Sequence, residues 1–435
     1  MLKREDLQSG VIGYWWTPGA EGRKVPGQLI WNEHDGARLN LLGSLSVDPF
    51  DSHKNAIPVT LFGEVSATPV SLQNSMSVNV NLNSSQLGTR VNESFHSSRL
   101  LIGGHISLTD LGQVTRLEVA SAHFSQWQNR SGLRHTLEPA KAGGNHKFAV
   151  SGEPLEAVVV QLKDSVRLEL RHRISVNLGV TNSSNLGEIN SYAFVCETGV
   201  DFGVLREKAA RLGDLVSLAG GHLCGPPATT LSLSSNSAVS NPFIPLDIFE
   251  QAQFSETTSE ANGAGRWSFR LNEGLEIEDL IRWLNMSERV RAHIKRLLAT
   301  RYSGGMLLED KIQNVAAVLQ GMGRDISGND EQKMSPALEA VFHAVAGPLR
   351  EFIPDASTWN SSLVKSRNRL AHHDTASSDT ETNVSLALYL SSFWLAIFGC
   401  LQMLEIGSGV SSAILTSNQT HHETTFSRAI LESLH

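Results

Sequence analysis

The sequence predicts an α+β chain: a β-rich, sandwich-like N-terminal domain over residues 1–225, a loop-rich connection at 226–265, and an all-α helical bundle over 266–435. Three observations carry that division. Apolar and polar residues alternate with a period of two as far as about residue 200, the pattern of strands with one buried face. From Asp201 the apolar spacing lengthens to that of helices. Between the two kinds of pattern, Pro226 to Gly265 is dominated by Ser, Thr, Asn, Gly and Ala, with room for a short strand or turn at Phe243-Ile244-Pro245-Leu246.

In the first part, Gly13-Tyr14-Trp15-Trp16-Thr17-Pro18-Gly19 is followed by Val25-Pro26-Gly27-Gln28-Leu29-Ile30-Trp31. The tryptophans either line a ligand platform or, on the plainer reading, plug the domain and its edge. Ala37, Leu39 and Leu41 alternate with Arg38 and Asn40 after an Asp35-Gly36 turn. Met76, Val78, Val80 and Leu82 alternate with polar neighbours, and Val166 to Leu178 keeps one register. His172 falls on the inward register of that last run, as a hydrogen-bonded core histidine would. Such runs between Gly, Asn, Asp and Pro clusters fit a sandwich or a barrel.

The helical stripes begin with Leu205, Ala209, Leu212, Val216 and Ala219, which stop at Gly220-Gly221. Further helices are expected over Leu275 to Leu284, Glu288 to Tyr302, Met306 to Met322, Pro336 to Phe352, Thr358 to Ala371 and Asn383 to Ile406. Thr382 to Leu404 carries no charge and is long enough to span a bilayer. It lacks Lys/Arg flanks, so burial in the bundle is expected instead, with no membrane partner.

Composition narrows the function classes. The chain has 435 residues, room for two or three domains at roughly 150 residues each. A net charge of −8 argues against coating nucleic acid by bulk attraction, so RNA contact requires a local basic patch. Cys196, Cys224 and Cys400 have the spacing of neither a disulfide framework nor a metal site, which points to a reducing cytoplasm. No apolar run follows Met1-Leu2-Lys3-Arg4-Glu5-Asp6, so no signal peptide is expected. Phosphate-loop, dinucleotide-fold and zinc-protease motifs are missing, and no metal or cofactor is expected. His421-His422-Glu423 reads as a solvated tail rather than a ligand set.

Two basic features remain. Arg289, Arg291, Lys295, Arg296 and Arg301 form the densest basic run, within which Arg291 with Lys295 and Arg289 with Arg296 make two rows facing roughly one side of a helix. They either guide RNA phosphates or make an ordinary solvated face. The second feature is Ser366-Arg367-Asn368-Arg369-Leu370-Ala371-His372-His373-Asp374. Histidine moves protons near neutral pH, and arginine offers a fixed cation for charge growing on a phosphorane. On a helix Arg367 and His372 diverge by about 140°, whereas Asn368 and His372 share a face, so the amide can orient the imidazole. Two copies meeting across a two-fold axis would bring Arg367 and His372 together. The uncharged helix from Asn383 would supply apolar surface for that contact.

Arg367-Asn368 with His372 has the Arg-Asn-x-x-x-His form of the HEPN ribonuclease motif. Together with the Gly-Tyr-Trp-Trp-x-Pro-Gly opening and the Val-Pro-Gly-x-Leu segment, it resembles the ApeA family. The resemblance implies a β-rich ApeA N-terminal sensor or regulatory domain followed by a HEPN-type helical ribonuclease domain. It further implies a metal-independent endoribonuclease of bacterial anti-phage defence acting by abortive infection, working as a homodimer in the cytoplasm and responding to a phage-derived trigger. Arg367, Asn368 and His372 match the catalytic motif, and Arg369 joins the basic run as an RNA contact. His373 leaves open which imidazole serves. Where an acidic residue is expected late in the bundle's first helix, the chain has Leu319-Gln320. Two other readings stay open. One is a non-catalytic HEPN module for dimerisation or nucleotide sensing, with the β-domain as binder. The other is a membrane-anchored carbohydrate- or peptide-binding sandwich.

Overall fold

The computed structural model describes residues 2–45, 59–85, 88–138, 147–178, 184–224, 228–234, 245–250, 267–371 and 379–434. The chain divides into two compact units. The first holds residues 1–121, 131–209 and 226–255, and the second holds 122–130, 210–225 and 256–435.

The first unit is β-rich. After the short helix α1 (Arg4–Ser9), six strands close into a barrel: β1 (Val11–Trp16), β2 (Val25–Asn32), β3 (Gly36–Leu41), β4 (Val59–Val65), β5 (Thr68–Ser85) and β6 (Gly88–Ile102). Their order is β6-β3-β2-β1-β4-β5, and β5 pairs back onto β6 to complete the ring. All of these pairings are antiparallel. The β2–β3 turn is held by Asn32, whose Oδ1 accepts from the backbone N of His34 at 2.8 Å. Gly36 follows at a φ of 77°, a conformation that costs glycine little.

Trp15, Leu29, Trp31, Leu39, Leu61, Leu72, Phe95 and Leu100 fill the barrel. Gly27 and Gly63 make room for Trp15, because a Cβ on either would meet its indole. The indole in turn donates from Nε1 to the carbonyl of Gly27 at 3.4 Å. Trp16 is also buried, in edge contact with the His105 ring at 5.0 Å and under the Lys24 ammonium at 4.5 Å. All three tryptophans are therefore packing residues.

The sheet continues beyond β6 through β14 (Leu246–Glu250), β13 (Ala228–Leu233), β7 (Val114–Ala120), β12 (Ser184–Val200), β11 (Arg167–Leu178) and β10 (Val158–Gln161). A separate hairpin joins β8 (Leu133–Glu138) to β9 (Lys147–Gly152). Part of 226–265, expected as connection, is thus strand. Leu231 and Leu233 alternate with Ser and Thr and are buried; their short period-two signal was masked by a composition typical of loops. His172 is a satisfied core histidine, as expected. Its Nδ1 accepts from the Leu155 backbone N at 3.1 Å, and its Nε2 donates to Glu188 Oε1 at 2.9 Å.

The second unit is helical. It includes α2 (Ala122–Gln128) and the end of α3 (Phe202–Gly220), and, after the short pair β15 (Arg270–Leu271) and β16 (Gly274–Leu275), α4 (Ile277–Leu284). Then come α5 (Glu288–Tyr302), α6 (Leu308–Ser327), α7 (Met334–Ala344), α8 (Ala356–Ala371), α9 (Asp379–Met403), α10 (Ser408–Thr416) and α11 (Asn418–Glu432). Ser287 caps α5, its hydroxyl accepting from the backbone N of Val290 at 3.4 Å. Gly328 ends α6 in the left-handed conformation. Asp355 caps α8 by accepting from the backbone N of Thr358 at 2.9 Å. The single helix expected over Pro336 to Phe352 is broken: Val345 is extended, and Gly347-Pro348 opens a short 3-10 turn. Proline cannot supply the donor that a continuing helix needs.

Helix α9 packs against α5, α6, α7, α8 and α11. It is long and apolar enough to cross a membrane, yet 83% of the most apolar 18-residue stretch within Glu381–Met403 is buried in the protein. Among its polar members, Ser391 is satisfied locally. Ser391 donates to the carbonyl of Ala387 at 2.7 Å and accepts from Trp359 Nε1 at 3.2 Å.

Candidate functional site

Arg367 lies near the C-terminal end of α8 and is exposed. Its Nη1 donates to Asn368 Oδ1 at 3.2 Å. His372, His373 and Asp374 lie outside the described residues. Arg367 borders a polar cavity of about 440 Å³ whose lining also includes Arg296 of α5 and Asp310, Gln313, Asn314, Ala317 and Gln320 of α6. The α6 residues recur every three or four positions and so form one stripe on that helix. The rest of the lining comes from Arg296 of α5, Met334 of α7 and Arg367 of α8, three helices that pack on α6, and from Met306.

Arg296 is held in place. Its Nε and Nη2 both donate to Asn314 Oδ1, at 3.1 and 2.8 Å, and Asn314 Nδ2 reaches Met306 Sδ at 3.4 Å. A guanidinium fixed on one edge keeps its remaining donors aimed, which suits recognition of a phosphate.

The other basic candidates separate. Arg291 is buried and pairs with Asp214 of α3. It lies on the inward stripe of α5 with Ile294 and Leu298, so it is an interior ion pair and not part of an RNA-facing row. Lys295 is exposed. Arg289 Nη1 donates to Asp325 Oδ1 at 2.9 Å, and the same carboxylate holds His293 Nε2 at 2.9 Å. Arg369 pairs with Glu381 at 3.2 Å and borders a different, smaller cavity of about 220 Å³ with Lys365, Ser366 and Ser385. Two positions along a helix diverge by about 200°, which is why Arg367 and Arg369 face different ways.

Glu423, expected in a solvated tail, instead sits in α11 and pairs with Arg301 while accepting from Trp394 Nε1 at 2.8 Å. Among the described residues no group of His, Cys, Asp and Glu converges as a metal site would require. Cys224 and Cys400 are poor nucleophiles, because burial pushes their thiols up to about 12. The sequence reading missed Asp310, Gln313 and Asn314. Their helical spacing was a usable signal, but polar residues at such spacing also mark any solvated face.

Fold and site define a chain that couples a β-barrel unit to a helical unit bearing an arginine-lined polar cavity. The chain belongs to the ApeA family: residues 10–274 match the family described as ApeA N-terminal domain 1. That match ends just before α4. No curated protein and no solved structure matches the chain.

Proposed function

We propose that this protein is an RNA-cleaving effector of bacterial anti-phage defence, an endoribonuclease of the HEPN type that needs no metal and acts in the cytoplasm. Membership of the ApeA family supports the defence role. The observation that carries the catalytic reading is that Arg367, the arginine of the Arg-Asn-x-x-x-His motif, shares one polar cavity with the anchored Arg296.

In this reading a ribose 2′-OH attacks the adjacent phosphate. His372 takes the hydroxyl proton, and Arg367 stabilises the charge that builds on the phosphorane oxygens. The leaving 5′-oxygen regains a proton, and the upstream fragment ends in a 2′,3′-cyclic phosphate. Arg296 holds phosphate of the bound strand. Lys295 adds an exposed positive charge on the same helix. A homodimer places both motifs in one cleft, and the β-rich unit senses the trigger or restrains the nuclease.

The test is incubation of the purified protein with total RNA in EDTA, beside its His372→Ala form. Fragmentation by the former alone is expected. Intact RNA in both, or equal cutting by both, would overturn the reading.

A further inference from the structure

We infer that the end of the α6 cavity beside Arg296 is a base-reading pocket for a nucleotide whose base carries an exocyclic amine, adenine above all. The inference rests on RNA being the substrate and specifies which nucleotide the enzyme holds.

A volume of about 440 Å³ falls within the range of small-ligand sites, roughly 300–1,000 Å³. Three side chains at this end are linked in series: Arg296 to Asn314 at 2.8 Å, and Asn314 to Met306 at 3.4 Å. The chain fixes a cation and a thioether beside each other. A thioether is a favourable surface for an aromatic ring, and the cation takes that nucleotide's phosphate.

Asp310 and Gln313 are three apart on α6 and border the same cavity, so they are neighbours on its face. A side-chain amide matches the amine and ring nitrogen of adenine as a pair, its oxygen accepting and its nitrogen donating. Asp310, as a carboxylate, only accepts. It therefore takes a second amine hydrogen and repels the carbonyl oxygens that uracil and guanine present at that edge. Cytosine offers the same pair through its N4 amine and N3, but presents a smaller ring to the Met306 thioether, which ranks it second. The carboxylate also opposes phosphate in its own immediate neighbourhood. The backbone is thus directed toward Arg296 and Arg367, and the base toward Asp310.

The experiment measures binding of fluorescent 2′-fluoro hexanucleotides, which lack the attacking hydroxyl, to the full chain by anisotropy. Wild type is expected to bind the adenosine hexamer about tenfold more tightly than the uridine hexamer, the scale of one good base contact. Asp310 is exposed, so Asp310→Ala should fold normally and reduce the ratio to roughly threefold or less. Gln313→Leu should do the same, while Arg296→Ala weakens both hexamers together. Equal binding of the two hexamers by wild type, or a ratio unchanged in both Asp310→Ala and Gln313→Leu, would overturn the inference. A preference for adenosine without RNA cleavage leaves the pocket standing and removes the nuclease reading. Cleavage without preference does the reverse.

Discussion

Arg296 and Arg367 stand on different helices, far apart in sequence, and border the same polar cavity. Arg369, two residues from Arg367, borders another one. Helical phase, rather than closeness in sequence, decides which arginine serves which surface.

A contrast between neighbouring arginines follows. Replacing Arg367 with alanine is expected to reduce RNA cleavage by about 10²-fold or more, the usual cost of losing a charge-stabilising donor. Replacing Arg369, committed to Glu381, should change the rate by less than about threefold. Initial rates on one labelled RNA measure both, and equal losses would mean that the two side chains act as one patch.

Arg291 belongs to stability. Its Asp214 partner is only partly exposed, and breaking such a pair leaves a carboxylate without its cation. Arg291→Ala should destabilise the protein by on the order of 3 kcal/mol. Urea unfolding followed by helical circular dichroism checks this, and a midpoint equal to wild type would contradict it.

The β-rich unit should lose stability in acid through Glu118. Burial by itself would raise this carboxyl. The hydrogen bond from Ser191 and the guanidinium groups of Arg173, Arg116 and Arg171 outweigh burial and hold it below the ordinary value of 4.5. A depressed folded pKa gives stability that is fully present above the unfolded value and lost as pH falls through the folded one. Unfolding free energy should therefore drop below about pH 4.5 more steeply in wild type than in Glu118→Gln. Parallel pH curves for the two proteins would refute that role.

Assembly is the next expectation. The apolar surface of α9, which the sequence offered for a dimer contact, is largely taken up inside the helical unit. Dimerisation then rests on the need to bring two motifs to one phosphate. Light scattering at micromolar concentration should give a dimer. A monomer with full ribonuclease activity would exclude the shared cleft.

Much of this architecture was legible in the sequence. Helix α5 runs from Glu288 to Tyr302 as its pattern predicts, and Leu205, Leu212, Val216 and Ala219 are buried along α3 as their spacing requires. Tertiary pairing was not legible. Nothing local indicates that Arg291 meets Asp214, that Glu423 meets Arg301, or that Thr229 to Leu231 pairs with β7. The cavity was half legible, since Arg296 and Arg367 stood out singly while their meeting depends on how α5, α6 and α8 pack.

The most direct measurement is mass spectrometry of the ends left on a defined RNA oligonucleotide cut in EDTA by wild type, Arg367→Ala and His372→Ala. Wild type should leave a 2′,3′-cyclic phosphate on the upstream fragment and a 5′-hydroxyl on the downstream one, with both variants inactive. Products ending in 5′-phosphate and 3′-hydroxyl, or the same cyclic products from either variant at the wild-type rate, would contradict the account.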